Sequence, residues 1–285
     1  MVRRIQVDTF LTEKRTRANN LWTSYDLLLV LLALAVSVVA ITPASTSHVD
    51  AAAAPSPQSP SVKSASDYDH NPDALLDAFR HVEVASVSDA IEQLYGQRMY
   101  LSHKMQPLFP SRFSGFALTV RLEKQENHDP HAVDGMLAAI DQGEKDSVYV
   151  MSIEDGADIA GMGGLMGTAM QARDFSGAVI DGAVRDTAYL KKIGFPVYAT
   201  GIAPSTLVGH YRFVGSEIPV VIDGVTIHPG DIITADSDGI VVVPRAHAVE
   251  VLNLAQQLDF KEHSMYPLIE KTKSIEDAVK QFGRL

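Results

Sequence analysis

The sequence contains no cysteine among its 285 residues, and this absence removes several classes of site. Without thiols the chain can form no disulfide, no thiolate nucleophile and no cysteine-ligated zinc site. The sequence motifs of the nucleophile-elbow hydrolases, of the zincin metallopeptidases and of EF-hand calcium loops are absent as well. Any chemistry must therefore come from other side chains or from the backbone.

Basic residues are also scarce. The chain has 24 Lys and Arg residues against 35 Asp and Glu residues, which gives a formal net charge of −11. A surface this acidic repels nucleic-acid phosphates, and no basic run with interleaved aromatic residues offsets the repulsion. We therefore expect no nucleic-acid partner.

An uncharged run, Leu27–Ile41 (LLLVLLALAVSVVAI), follows an N-terminal stretch with five basic side chains. Its length is typical of a signal-peptide core and falls short of the roughly 20 residues of a membrane span. Residues 1–44 are therefore predicted to be a signal peptide of an exported protein, periplasmic or secreted. The alternatives are an uncleaved membrane anchor through residues 27–41 and, with less support from the flanks, a buried helix.

Residues 45–72 are rich in Ala, Ser and Pro and are predicted to be a linker, so that the folded domain covers residues 73–285. Two short helices are expected between Ala74 and Gly96, with Ser88-Asp89 as the cap of the second. The other predicted elements are strands at Gly115–Arg121, Ser147–Ser152, Gly177–Ile180 and Val197–Ala199, and helices at Asp134–Ala139, Leu165–Arg173 and Thr187–Ile193.

Beyond Pro204, short β-branched runs are separated by Asp-Gly and Pro-Gly turns, which predicts antiparallel strands. Residues 245–263 and 273–283 are predicted to be helices. The whole pattern predicts an α/β fold with mixed sheets and flanking helices.

A glycine-rich segment precedes the predicted helix Leu165–Arg173, with glycines at positions 161, 163, 164 and 167. Such a turn can receive a carboxylate or phosphate on unpaired backbone N–H groups, or it can simply be tightened for packing. Twenty residues separate Gly164 from Arg185-Asp186, which follow a strand and a predicted Asp181-Gly182 turn. Arg185 can bind a carboxylate through two hydrogen bonds, and Asp186 can ligate a hard cation such as Mg²⁺ or cap the helix that follows.

Other polar residues are weaker candidates. Glu154, Asp155 and Asp158 follow the strand Ser147–Ser152, where α/β sheets bind ligands, but they also suit a solvated loop. His128 and His131 are close enough in sequence to suggest a metal site, although Asp129-Pro130 between them breaks any helical register. The segment His210–Arg212 could line a pocket, and packing or a subunit contact is the alternative.

Five segments, together with the spacing of Gly164 and Arg185-Asp186, resemble the RraA-like family. They are Ser86–Leu94, Phe113–Arg121, Gly177–Asp186, Phe195–Pro204 and Val225–Pro244. The family includes regulators of ribonuclease E activity and class II aldolases for 4-hydroxy-4-methyl-2-oxoglutarate and 4-carboxy-4-hydroxy-2-oxoadipate. The resemblance implies a swivelling β/β/α fold that assembles as a homotrimer or hexamer.

The resemblance also implies roles for individual residues. Arg185 would bind the carboxylate of pyruvate, Asp186 would ligate Mg²⁺ or Mn²⁺, and Gly163, Gly164, Leu165 and Met166 would offer backbone N–H groups to the oxo-acid. The metal would polarise the 2-oxo group and stabilise a pyruvate enolate. A neighbouring subunit's C-terminal helix would add an acid, for which Glu262 is the first candidate and Asp259 the second.

The sequence departs from both family subgroups. The aldolases carry Asp at the position of Gly164, whereas the regulators carry Gly there and an acid three residues after Asp186, at the position of Tyr189. Asp155 or Glu154 are the candidates to replace the missing acid. The leading expectation is a divalent-metal-dependent carbon–carbon lyase of the aldolase or decarboxylase type that acts on a small 2-oxo acid. The alternatives are a non-catalytic protein-binding regulator and an unassigned lyase or isomerase of exported catabolism.

Overall fold

The computed structural model describes residues 59–68 and 71–283, all of which belong to one compact unit, Ser56–Leu285. The predicted signal peptide or anchor (1–44), its apolar run 27–41 and residues 45–58 of the predicted linker lie outside the described residues. Within the described ranges, no helix is both long enough and apolar enough to cross a membrane.

Helices and strands alternate along the first part of the unit, and strands dominate later. The helices are α1 (Pro72–Arg80), α2 (Val84–Tyr95), α3 (Asp134–Gln142), α4 (Gly164–Ala172), α5 (Thr187–Ile193), α6 (Ala248–Thr272) and α7 (Ile275–Phe282). The strands are β1 (Gln106–Pro107), β2 (Phe113–Lys124), β3 (Ser147–Ile153), β4 (Ala160–Met162), β5 (Gly177–Val184), β6 (Val197–Ile202), β7 (Tyr211–Ser216), β8 (Val220–Ile222), β9 (Val225–Ile227), β10 (Ile232–Asp236) and β11 (Gly239–Val243).

The main sheet is mixed and has the order β1-β6-β5-β3-β2-β10-β11. Its centre is parallel, because β2 pairs with β3, β3 with β5 and β5 with β6 in that sense. On the other side of β2 the pairing is antiparallel, with β10 and then β11. The strands β7 and β4 join β2 and β5 outside this path, and β8 with β9 forms a separate hairpin. The predicted α/β fold with mixed sheets and flanking helices is confirmed.

Both faces of the central strands are buried, which explains why β3 reads as a continuous apolar run rather than an alternating one. Tyr149 and Met151 of β3 face a core completed by α3, α4 and α5. Val148 and Val150 face the other way, into a core closed by the β8–β9 hairpin.

The predicted Asp223-Gly224 turn connects β8 to β9. The turn between β10 and β11 is Ser237-Asp238, one residue earlier than the predicted Asp238-Gly239, because Gly239 already pairs with Asp236 as the first residue of β11.

A third core lies between α1, α2, α6 and the strands β10 and β11. Tyr68 belongs to it and is buried, and Lys63 pairs through its backbone with Asn253 of α6. The packed chain therefore includes residues upstream of the predicted boundary at Asp73.

The cap predicted at Ser88-Asp89 is wrong, because both residues lie inside α2. The helix begins one turn earlier, where a carboxylate from β10 replaces a local cap: Asp236 accepts a hydrogen bond from the Val84 N–H at 3.0 Å. A distant acid thus satisfies a donor that helix starts leave unpaired.

The turn predicted at Asp181-Gly182 is also wrong, because β5 continues through both residues to Val184. The pairing partners override the turn-forming dipeptide: Ala183 and Val184 pair with β6, and β4 joins β5 on its other side. The dipeptide instead marks an irregularity in register between Ile180 and Ala183. A side chain at Gly182 would meet Ile153 at 2.8 Å, so close packing against the end of β3 requires glycine there.

Candidate functional site

The predicted pair Arg185-Asp186 lies where β5 ends and α5 begins. The backbone is fixed on both sides of this junction, since the Arg185 N–H donates to Met162 of β4 at 3.0 Å and the Val184 carbonyl accepts from Ala203 at 3.1 Å. Asp186 adopts a left-handed conformation with φ of +58°. Aspartate tolerates this conformation better than most residues, and the conformation sets the direction of its side chain.

Asp186 occupies the N-cap position of α5, but its side chain does not cap that helix. Its Oδ2 atom instead accepts a hydrogen bond of 2.9 Å from the backbone N–H of Gly164, the first residue of α4. No hydrogen bond within the described residues engages its Oδ1 atom. The N-cap alternative is therefore wrong, and the exposed carboxylate keeps one oxygen for a ligand.

Gly163 and Gly164 bring the backbone of α4 against this carboxylate. A Cβ atom at Gly163 would lie 2.7 Å from Asp186 Oδ2 and 3.0 Å from Arg185 Cγ, closer than real contacts allow. Gly163 is in an extended conformation, so glycine is needed there for close approach rather than for a special dihedral angle.

The start of α4 also leaves backbone donors unpaired. The first helical hydrogen bond runs from the Gly167 N–H to the Gly163 carbonyl at 3.1 Å, so the N–H groups of Leu165 and Met166 precede it. The Met166 side chain is buried in the core, whereas the Leu165 side chain is 90% exposed. Among the predicted backbone donors, the Gly164 N–H donates to Asp186. The Leu165 and Met166 N–H groups have no hydrogen-bond partner among the described residues, and they lie at a helix start, which favours anions.

Arg185 is exposed, and a hydrogen bond to the backbone of Ser205 orients its guanidinium. Its Nη1 atom donates to the Ser205 carbonyl at 3.0 Å, and the Ser205 hydroxyl donates to the Asp158 carbonyl at 2.7 Å. This single backbone contact orients the guanidinium while leaving most of its five N–H donors for an oxyanion.

Two shallow cavities flank Asp186 and share it as a wall. One, of about 410 Å³, is lined by Arg185–Thr187 and by Ile202–Pro204. The other, of about 530 Å³, is lined by Gly164, Leu165 and Thr168 of α4 and by Asp186–Tyr189. A carboxylate bound at Arg185 and a chain extending past Asp186 would therefore occupy the two cavities in succession.

Thr168, Thr187 and Tyr189 line these cavities and were not predicted as site residues. Tyr189 lies one turn after Asp186 on α5, and Thr168 one turn after Gly164 on α4. The spacing of residues three and four apart on a helix could have indicated both, since such residues share a face.

Within the described chain, the structure does not bring Asp155 or Glu262, the acids predicted to assist Asp186, to that residue. Asp155 lies beyond β3, where its carbonyl and that of Glu154 accept from the Tyr211 hydroxyl. Glu262 lies on α6 and accepts from Tyr266 at 3.0 Å. Among the residues described, no group of three or more Asp, Glu or His side chains could hold a metal ion.

The histidines lie elsewhere. His131 contacts Asp134 at 2.7 Å, and this hydrogen bond raises the pKa of the imidazole. His210 contacts Glu126 at 2.9 Å. His131 lines a separate cavity of about 360 Å³ together with Arg212, so the loop that contains His128 and His131 does not contribute to the Arg185-Asp186 site.

Comparisons with known proteins agree on one family. The family model described as RraA-like, Aldolase/RraA, matches residues 84–242. A protein of Halalkalibacterium halodurans, provisionally named 4-hydroxy-4-methyl-2-oxoglutarate aldolase, is 28% identical over 187 residues, which cover 64% of this chain and 82% of the relative. Protein DlpA of Legionella pneumophila is 29% identical over 205 residues, 72% of this chain but 33% of DlpA, so the chain spans about a third of that relative.

Two solved structures have a similar fold. An uncharacterized protein of Pseudomonas syringae is 30% identical with a TM-score of 0.65, covering 72% of this chain and 96% of that one. RraAS2 of Streptomyces coelicolor, an unusual member of the RNase ES inhibitor RraA family, is 24% identical with a TM-score of 0.60. The match covers 70% of this chain and 96% of RraAS2. The similarity to RraAS2 shows a shared fold.

Proposed function

The chain belongs to the RraA-like family, and from this premise we propose that it is a carbon–carbon lyase of the aldolase or decarboxylase type acting on a small 2-oxo acid. The observation that carries the proposal is the hydrogen bond between the Gly164 N–H and Asp186, beside Arg185. It brings the Asp186 carboxylate, next to Arg185 in the chain, against the first turn of α4, where the Leu165 and Met166 N–H groups have no hydrogen-bond partner among the described residues. Relatives provisionally named 4-hydroxy-4-methyl-2-oxoglutarate aldolase support a lyase over other reaction classes.

The reaction is the cleavage of a 4-hydroxy-2-oxo acid. The bond between C3 and C4 breaks, and its electron pair becomes part of the enolate of pyruvate. The C4 hydroxyl loses its proton to water and becomes the carbonyl of the released fragment, while the enolate takes up a proton at C3 to give pyruvate. Atoms balance, because the substrate is the sum of pyruvate and the released carbonyl compound.

The residues of this chain bind and orient the oxo-acid half. Arg185 binds the C1 carboxylate through paired hydrogen bonds, and the Leu165 and Met166 N–H groups stabilise the developing negative charge. Loss of carbon dioxide from oxaloacetate passes through the same enolate, so we include this activity in the proposal.

Asp186 fits a divalent cation as a single carboxylate ligand, because its Oδ1 atom has no partner among the described residues. Mg²⁺ and Mn²⁺ accept such sites when water and substrate oxygens complete the coordination. When bound, the cation would polarise the 2-oxo group. Asp155 and Glu262 could assist at the metal, beyond its direct ligand Asp186, only if a second subunit brings one of them to this site.

Exposed apolar side chains around the site support an assembly of several copies, for which we propose the homotrimer or hexamer implied by the family. Leu165 is 90% exposed and Ile202 is 66% exposed, one at each cavity. Apolar residues grouped at one surface are typical of protein contacts. We also propose that the protein is exported or membrane-anchored through its N-terminal segment.

The test is release of pyruvate from oxaloacetate by the purified protein with Mg²⁺ or Mn²⁺. We expect activity that is removed by a chelator and restored by the metal. Arg185→Ala should raise KM by about tenfold to a hundredfold, because the charge-assisted bonds to the carboxylate are lost. Absence of pyruvate with every divalent metal, from oxaloacetate and from 4-hydroxy-2-oxo acids alike, would refute the proposal.

A non-catalytic, protein-binding regulator is the second candidate, and one observation favours it. Gly164 has no side chain that could serve as a second metal ligand beside Asp186. Among the described residues, no group of three or more Asp, Glu or His side chains could hold a metal ion. A stoichiometric protein complex that forms without metal and is broken by Leu165→Asp, in a protein with no lyase activity, would support this candidate.

A further inference from the structure

The cavity on the Tyr189 side of the site differs in chemistry from the cavity on the Arg185 side. In the described chain, Asp186 is the one charged side chain among its lining residues. Lys191 and Lys192 of the same helix are not part of the lining. The remaining lining residues are uncharged: Gly164, Leu165, Thr168, Thr187, Ala188 and Tyr189.

Tyr189 is held against the start of α4. Its Cδ1 atom lies 3.1 Å from the position of a Cβ on Gly164, so the ring packs over that glycine. Its hydroxyl lies 3.3 Å from Thr168 Oγ1, and Thr168 in turn donates to the Gly164 carbonyl at 2.8 Å. Thr168 Oγ1 is the donor in both contacts and shares its one hydrogen between the Gly164 carbonyl and the Tyr189 hydroxyl oxygen, so the Tyr189 hydroxyl keeps its own hydrogen for another acceptor. Tyr189 is 44% exposed, so part of its surface is open to a ligand.

The order of the two cavities sets the direction of a bound substrate. A 2-oxo acid with its C1 carboxylate at Arg185 and its 2-oxo group near Asp186 extends its C4 end into the cavity beside Tyr189. A second carboxylate at that end would find no basic side chain to pair with among the described lining residues of this cavity. It would therefore gain no charge-assisted hydrogen bond from a cationic donor there.

We propose, on the basis of the function proposed above, that the Tyr189 cavity receives the fragment released from C4 and that this fragment is uncharged. The substrate class is then the 4-hydroxy-2-oxo monocarboxylic acids, which split into pyruvate and a neutral aldehyde or ketone. Tyr189 and Thr168 are the specificity-determining residues, since Tyr189 supplies a hydroxyl donor and an aromatic face, and Thr168 an uncharged side chain, where a dicarboxylic substrate requires a cation.

The test compares two substrates that share the pyruvate half. 4-Hydroxy-2-oxopentanoate releases acetaldehyde, and 4-hydroxy-4-methyl-2-oxoglutarate releases a second pyruvate, so rates are corrected for two pyruvates in the latter case. We expect kcat/KM to favour the monocarboxylate by about tenfold or more, because the second carboxylate of the other substrate has no cationic, charge-assisted partner in this cavity. Oxaloacetate decarboxylation is measured in parallel as a readout of the proposed lyase itself, because it passes through the same pyruvate enolate and releases carbon dioxide from C4.

Variants then assign the preference to named residues. Thr168→Lys places a cation in the cavity and should lower the preference about tenfold, whereas Thr168→Gln, which has a similar reach without charge, should not. Tyr189→Phe should reduce kcat/KM for 4-hydroxy-2-oxopentanoate more than for oxaloacetate. Tyr100→Phe is the matched control, since Tyr100 is 43% exposed and does not line the site.

The outcomes separate the two proposals. Activity on oxaloacetate with an equal or greater preference for the dicarboxylate would overturn the neutral-fragment proposal and leave the lyase proposal standing. No activity on any of the three substrates would overturn both. The comparison of wild-type rates decides even if a variant fails to fold.

Discussion

β5 and the junction that follows it carry two aspartates five residues apart, and the fold treats them in opposite ways. Asp181 lies within the strand, opposite Ser152 of β3, half-buried and with no hydrogen bond to its side chain in the described chain. Asp186 lies beyond the strand end, exposed, in a left-handed conformation and bonded to the Gly164 N–H. Burial, and secondarily the nearby charge of Asp223, raises the pKa of Asp181 to about 6.

The two carboxylates also differ in their surroundings. Asp181 has a perturbed pKa, but its side chain has no hydrogen-bond partner among the described residues and lines neither of the two cavities at Asp186. Asp186 has a backbone donor, a guanidinium beside it and a cavity on each side. Perturbed titration often accompanies function, but here convergence of donors is the better guide.

The largest expected effect comes from Asp186→Asn. Asparagine also tolerates the left-handed conformation and keeps an oxygen for the Gly164 N–H, so only the charge is lost. We expect the proposed lyase activity to fall on the order of a thousandfold, because the proposed metal ligand is removed. The free energy of unfolding should change by about 0.5 kcal/mol or less, as for most exposed positions. The paired measurement is pyruvate release and urea unfolding; a large loss of stability would mean that Asp186 is structural.

A smaller effect is expected from Gly163→Ala, which shifts the carboxylate without removing it. The new methyl group would lie 2.7 Å from Asp186 Oδ2, so the side chain must move. We expect kcat/KM for oxaloacetate to fall about tenfold to a hundredfold, as for small misplacements of reacting groups.

Gly164→Ala is the matched variant for this prediction. Its methyl group would lie 3.1 Å from the Tyr189 ring but 3.5 Å from Asp186, and the ring can yield toward solvent. Its loss of activity should be distinctly smaller. Equal losses in the two variants would show that displacement of Asp186 is not the cause of the loss in Gly163→Ala.

Structural features that depend on residues close together in the sequence could be predicted, whereas features that depend on residues far apart in the chain could not. The apolar run of β3, the Asp223-Gly224 turn and the helix Thr187–Ile193 follow from local patterns, and the structure confirms them. The start of α2 could not be predicted, because its capping group comes from Asp236, far along the chain. The strand pairing that carries β5 through Asp181-Gly182 is equally non-local.

The same distinction between local and long-range contacts applies to the candidate site. The predicted cluster of Arg185, Asp186 and the glycine-rich segment is confirmed as a spatial group. The sequence could not show that Asp186 bonds to Gly164 rather than to its own helix, nor that Tyr189 packs over Gly164, because both contacts join α4 to α5. Whether a second subunit brings Glu262 to this site stays a prediction.

The smallest expected effect comes from the other aspartate, through Asp181→Asn. In an unfolded chain the Asp181 carboxyl titrates near 3.8, whereas in the folded protein its pKa is about 6. Between these values the folded state binds the additional proton, so the free energy of unfolding falls as pH rises from about 4 to about 6 and stays lower above that.

Asparagine cannot ionise, so Asp181→Asn should be more stable than the wild type at pH 7 by about 1 kcal/mol, a figure already reduced for the partial solvent exposure of this carboxyl. The advantage should shrink with falling pH and vanish below about pH 4, where the wild-type carboxyl is protonated in both states. Urea unfolding at pH 7, 5 and 3.5 measures the trend, and pyruvate release should be unchanged because Asp181 lines neither cavity. A variant that is less stable than the wild type at pH 7 would mean that the ionised Asp181 carboxylate has stabilising partners, and the contrast with Asp186 would then be lost.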